Sequence, residues 1–263
     1  MAKMKIGIIG CGNIATDICI AIQEKEVPAE VVALTDIDMA KAEALRQKYE
    51  LNATIGTLEE TVACVDYVVE CAVASVVTDV LQASIAHHVD CLIMSVGGLM
   101  SQPEYLEEAK KNRIHVWLPT GAICGIDGIR AAMQAGLESV TLTTRKPPRG
   151  LVGAPYLEKH NIDVSDLTEP LVVFEGTARD AVKAFPANVN VAAALSLAGI
   201  GPDKTVVQLI ADPEATTNTH EIHASGPFGE MTTIMRNRPS PRNPKSSYMA
   251  SLAANVEFAY AAA

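Results

Sequence analysis

Met4-Lys5-Ile6-Gly7-Ile8-Ile9-Gly10-Cys11-Gly12-Asn13-Ile14-Ala15 decides the fold of this 263-residue chain. An apolar strand runs into a Gly-x-Gly-x-x-Ala turn, and a helical pattern follows. Gly10 permits the tight turn. Gly12 lets the backbone approach a pyrophosphate, and the small Ala15 lets helix and strand pack closely. The helix opening at Asn13 and Ile14 offers unpaired N–H groups to an anion. A glycine motif alone says little, but its place between a strand and a helix is the context that dinucleotide binding requires. About 20 residues on, a second apolar strand, Val31 to Thr35, ends in Asp36, where a ribose-binding acid is expected. The stretch therefore predicts NAD as cofactor, with NADP open because Thr35 and Lys41 lie nearby.

The pattern outward from this stretch is an alternation of apolar strands and helices. Strands are expected at 4–9, 30–35, 65–69, 91–94 and 114–118, with helices at 13–25, 40–49, 76–87 and 103–112. Continuous apolar strands separated by helices imply a parallel sheet covered on both faces. Near Pro119 the pattern changes. A helix at 125–135 leads into Ser139–Arg145, which alternates like a half-exposed strand. More strands are expected at 171–175, 206–210, 219–224 and 230–235, with helices at 178–184 and 189–199. The fold class is α/β: an N-terminal Rossmann domain (1–120 plus 241–263) and a C-terminal α+β catalytic domain (121–240) with a largely antiparallel sheet. The last helix, with Met249, Leu252, Val256 and Tyr260 on its apolar side, is expected to return to the Rossmann half.

Composition narrows the function. The 21 basic and 31 acidic residues give a net charge of −10. Such a surface repels phosphate backbones and anionic lipid, so neither nucleic acid nor membrane is an expected partner. The N-terminus enters the first strand directly without a signal-like segment, which suggests the cytoplasm. The six cysteines form no Cys-x-x-Cys pair, and no metal site is expected. Histidine is the side chain best suited to proton transfer near neutral pH. Of the six, His87 and His88 end a helix, His115 lies in an apolar strand and reads as a satisfied core residue, and His160 sits in a polar loop. His220 and His223 share one strand, where alternation places His220 with Ile222 and His223 with Glu221. The basic run Arg145-Lys146-Pro147-Pro148-Arg149 reads either as a solvated loop or as a site for a carboxylate-bearing substrate.

Phe185-Pro186-Ala187-Asn188-Val189-Asn190-Val191-Ala192 resembles the Pro-Ala-Asn-x-Asn-Val-Ala signature of the L-aspartate dehydrogenase family. Thr144–Pro148, Asn218–Ile222, Ser95–Leu99 and Pro119–Asp127 are similar to the same family, in order along the chain. The resemblance implies NAD(P)-dependent oxidation of L-aspartate to iminoaspartate, then oxaloacetate and ammonia, in a homodimer. The imine is then either released or passed on to NAD biosynthesis. By resemblance His220 is catalytic, Cys124 and Asn190 touch the dinucleotide, and Arg145, Lys146 and Asn188 meet the substrate. Cys124 departs from the alanine usual in the family. Two other readings use the same glycine turn: a dihydrodipicolinate-reductase-like or homoserine-dehydrogenase-like oxidoreductase, and a non-catalytic dinucleotide sensor.

Overall fold

A computed structural model describes residues 3–24, 27–185, 190–242 and 247–262. The chain divides into two compact units, Met1–Pro119 with Ser251–Ala263, and Thr120–Ala250.

The first unit is built in the order β1 (Met4–Ile9), α1 (Asn13–Gln23), β2 (Ala29–Thr35), α2 (Met39–Lys48), β3 (Thr54–Ile55), α3 (Leu58–Val62), β4 (Tyr67–Glu70), α4 (Val77–His87), β5 (Asp90–Ile93), α5 (Glu104–Lys111) and β6 (Val116–Trp117). The six strands are parallel and lie in the order β3-β2-β1-β4-β5-β6. This is the doubly wound dinucleotide-binding order, which puts a crevice at the carboxyl ends of β1 and β4. Ile6, Ile8, Leu34, Val68, Val69 and Leu92 are fully buried, as the continuous apolar strands require.

Two local expectations need correction, and one pair of elements was not foreseen. The pair β3 and α3 had no apolar run to announce it; α3 starts instead on a capping box. Thr57 Oγ1 accepts from the Glu60 N–H and the Glu60 carboxylate accepts from the Thr57 N–H. At the sheet edge, β6 pairs at only two residues, and His115 is an exposed ring stacked 4.2 Å from Trp117 rather than a core histidine. The terminal helix also turns a different face inward from the one its large apolar residues suggest.

The second unit contains α6 (Ile126–Met133), β7 (Ser139–Lys146), α7 (Pro155–Lys159), β8 (Leu171–Thr177), α8 (Ala178–Ala184), α9 (Asn190–Ala198), β9 (Val206–Ala211), β10 (Thr219–Gly226) and β11 (Gly229–Arg236). The terminal helix α10 (Tyr248–Ala261) follows. Its buried residues are Ser251, Ala254 and Phe258, with the Phe258 ring 6.1 Å from Tyr67 in the first unit's core. Leu252, Val256 and Tyr260 are exposed. Alanine-rich helices pack through small residues, so the bulky side chains are a poor guide to the inner face.

The second sheet has the order β11-β10-β7-β9-β8. Three of its pairings are antiparallel, but β7 and β9 run parallel, so the sheet is mixed. Along β7 the even-numbered residues Val140, Leu142, Thr144 and Lys146 face inward. Along β10 the inward set is His220, Ile222 and Ala224. Helices α6, α8 and α9 supply Ile129, Ala181 and Leu195 to the same core.

Candidate active site

The first unit presents a cleft of about 1080 Å³ at the carboxyl ends of its strands, bordered by the Gly10–Asn13 turn, Asp36 and Ala72. Gly10 has φ +95°, and a Cβ there would lie 2.6 Å from the backbone of Ala72. Only glycine serves at this crossing. A Cβ at Gly12 would meet nothing within 4 Å, so the backbone is bare toward the cleft. Gly12 caps α1 without a side-chain hydrogen bond, and no acidic residue occupies the first turn. The N–H groups of Asn13, Ile14 and Ala15 thus remain suited to an anion. Asp36 is held at both oxygens. Oδ2 accepts the Cys11 N–H at 2.7 Å and Oδ1 accepts the Asp38 N–H at 2.8 Å. The carboxylate keeps a lone pair on each oxygen for ribose hydroxyls. Thr35 is engaged elsewhere, its hydroxyl hydrogen-bonded to Thr61 at 2.6 Å, whereas Lys41 borders the cleft. Bare backbone, an unfilled helix terminus and an oriented acid together fit a dinucleotide.

Sequence reasoning missed Glu70. It is fully buried at the end of β4 and accepts from the Ala72 N–H, the Ser95 N–H and the Ser95 hydroxyl at 2.8–2.9 Å. Burial raises its carboxyl above the ordinary range against the lowering effect of those donors. It ties together the chain segments leaving β4 and β5 beside the cleft. A carboxylate inside an apolar strand was the available signal.

In the second unit the candidate catalytic histidine is on the inward face. His220 is 4% exposed, and its Nδ1 lies 2.9 Å from Thr144 Oγ1 on the neighbouring strand. The two residues are directly paired in the β7–β10 register. Burial and then the charge of Lys146 push the imidazole down to about 3. Lys146 lies two residues beyond Thr144 on the same inward face and is 7% exposed. Burial lowers its ammonium to about 8. Arg145 points to the other face, where Nη1 donates to Asp212 Oδ2 at 3.1 Å. Thus β7 brings Lys146 to His220 and separates Arg145 from both. His223 is on the outer face, with Nδ1 3.1 Å from Thr232 Oγ1.

The loop carrying Cys124 is fastened by β11 and the residue that follows it. Thr233 Oγ1 donates to the Cys124 carbonyl at 3.2 Å, and Asn237 Nδ2 donates to the Ala122 carbonyl at 3.0 Å. Gly125, with φ +85°, lets the loop lie against Thr233. The Cys124 side chain is exposed. Asn190 is an exposed first residue of α9, and a Cβ at Gly121 would meet the adjoining Val191 at 3.7 Å. Asn188 lies outside the described residues. Among the described residues, no three His, Cys, Asp or Glu side chains are grouped to hold a metal ion, and no helix is long and apolar enough to cross a membrane.

Residues 10–119 match the family model described as "Homoserine dehydrogenase, NAD binding domain", and residues 127–259 match "Aspartate dehydrogenase, C-terminal". An L-aspartate dehydrogenase of Methanosarcina mazei is 47% identical over 95% of this chain and 94% of its own. That of Nitrosopumilus maritimus is 40% identical over 95% and 93%. Among solved structures, an aspartate dehydrogenase from Thermotoga maritima superposes with a TM-score of 0.71 at 24% identity, covering 97% of this chain and 93% of that one.

Proposed function

This chain belongs to the L-aspartate dehydrogenase family, and on that premise we propose that it oxidises L-aspartate to iminoaspartate with NAD, water then giving oxaloacetate and ammonia. The observation that carries the reading is the buried His220 on Thr144, within the unit that matches the family's C-terminal model. The homoserine-dehydrogenase model covers only the nucleotide-binding half, which is shared by enzymes of differing substrate.

The nicotinamide, when bound, supplies the acceptor for hydride from the substrate Cα. The chain's own residues bind and move protons. Gly10, Gly12, Asn13 and Ile14 present backbone to the pyrophosphate, and Asp36 receives the ribose hydroxyls. By the family resemblance Cys124 and Asn190 would also help to hold the dinucleotide. With Nδ1–H donating to Thr144 Oγ1, Nε2 of His220 carries the free lone pair. It takes a proton from the water that adds to the imine. Asn188 serves a substrate carboxylate; Arg145, expected to share that task, is turned to the opposite sheet face and paired with Asp212 instead. We further propose a homodimer, with the imine as a feed for NAD biosynthesis. Sedimentation checks the former: the expected species has twice the 27.9 kDa chain mass.

The test is NADH formation from a panel of amino acids that includes L-aspartate and L-homoserine. Aspartate alone should give sustained turnover. NADH binding without turnover of any amino acid would favour a dinucleotide sensor and end the proposal.

A further inference from the structure

Lys146 is in an unusual place for a cation that only steers a carboxylate. It is the last residue of β7 and occupies the inward row Val140-Leu142-Thr144-Lys146, the row that otherwise builds the core. His220 is directly opposite Thr144. Lys146 is therefore the diagonal cross-strand neighbour of His220, a separation of about 7–8 Å between backbones that long side chains span. Resting on the reading of the chain as an aspartate-oxidising enzyme, we propose that Lys146 is a catalytic residue that removes the proton from the substrate's α-ammonium, leaving His220 to the water-addition step.

The chemistry requires such a group. An ammonium has no lone pair with which to form a C=N bond. Neutral Nζ of Lys146 takes one N–H proton and becomes an ammonium. The freed nitrogen lone pair then forms the C=N bond while the Cα–H pair departs as hydride to the nicotinamide, so NAD is reduced as the amine is oxidised. His220, pushed down to about 3, is a weak base for a substrate ammonium. Lys146, lowered to about 8 by burial, is close to the range where a base is both free and strong enough.

The charged groups around Lys146 are consistent with this assignment. On β10 the facing titratable group is His220 itself. Beyond β9, Asp212 is engaged by Arg145 and by the Glu214 N–H at 2.9 Å. Helix α9 carries no titratable side chain. Asp127 and Arg130 on α6, Asp180 and Lys183 on α8, and Arg149 after β7 are exposed.

The experiment combines kinetics with a substrate-free titration. Wild type, Lys146→Met and Lys146→Arg are compared across pH with L-aspartate, after circular dichroism has established that each is folded. Both variants should lose roughly 10²–10⁴ in kcat, the usual worth of a positioned base. The rise in rate through pH 8 should vanish. Arginine should not rescue, because its guanidinium stays protonated. Small exogenous amines should restore part of the rate to Lys146→Ala. Separately, the His220 ring is followed by NMR in the wild-type protein, assigned by loss of its signal in His220→Gln. Its shift should show a second inflection near pH 8 as the neighbouring lysine loses charge, whether or not any Lys146 variant folds. An active Arg variant, a loss confined to KM, or a wild-type ring signal without that inflection overturns the proposal. A wild-type protein inactive on aspartate but showing the inflection overturns the substrate reading and leaves the lysine–histidine pair standing.

Discussion

The roles proposed for Asp36 and His220 are separable, and single substitutions should show it. In the proposed role Asp36, whose oxygens are oriented by the Cys11 and Asp38 N–H groups, would accept from the ribose hydroxyls and its negative charge would repel a 2′-phosphate. Asp36→Ser should raise the NADP/NAD ratio of kcat/KM, with Lys41 at the cleft edge left to attract the phosphate. A wild-type enzyme that already prefers NADP strongly would overturn the assignment. His220→Ala should keep NADH affinity near wild type and lower kcat by roughly 10²–10⁴. His223→Ala, two residues away but on the outer face, should stay within a few-fold. Melting temperature, NADH binding and aspartate turnover of both variants separate a chemical role from a merely structural one. Strand alternation already places His220 with Ile222, because period two is a property of the chain. It does not say which face is covered. The burial of Lys146 was illegible for a related reason: a basic run before two prolines looks like solvated loop. Only the register with β10 shows that its second residue belongs to the core row.

Elements whose pattern is set by apolar runs were readable, and those set by single polar contacts or small residues were not. The strands β1, β2 and β5 are nearly continuous in branched or apolar residues and fall where expected. Helix α3 depends on the Thr57–Glu60 box, and its five residues are too few to show a period. The last helix is the instructive case. Bulky residues suggested one inner face, yet Ser251, Ala254 and Phe258 are the buried ones. This reversal makes a direct prediction. Phe258→Ala should cost about 3–5 kcal/mol, since the ring is fully buried beside Tyr67. Leu252→Ala should stay within about 0.5 kcal/mol, as for an ordinary surface position. Urea denaturation of the two variants decides between the faces; equal losses would mean that the helix packs differently.

At the scale of the molecule, the buried titratable groups set how stability responds to pH. His220 titrates at about 3 in the folded chain against an ordinary 6.5. Between those values the unfolded chain binds a proton on this side chain and the folded chain does not. Its contribution to stability is therefore complete above pH 6.5 and is lost as pH falls toward 3. Lys146, ordinarily 10.5 and lowered to about 8, acts in the same sense over an alkaline window: stability falls as pH drops from 10.5 to 8 and the remaining penalty is constant below it. Glu70 has the opposite sense. Its raised carboxyl keeps a proton that the unfolded chain releases, so its contribution falls as pH rises above 4.5. The acid limb should thus steepen around the buried histidine. From pH 7 to pH 4 the histidine should remove about 3 kcal/mol, at 1.36 kcal/mol per pH unit below 6.5. His220→Gln keeps a polar, hydrogen-bonding side chain opposite Thr144 but cannot titrate. Urea unfolding followed by circular dichroism at several pH values should give a shallower acid limb for this variant than for wild type. Parallel limbs would mean that the folded protein protonates His220 as readily as the unfolded chain does, and would remove the buried neutral imidazole on which the proton assignments rest.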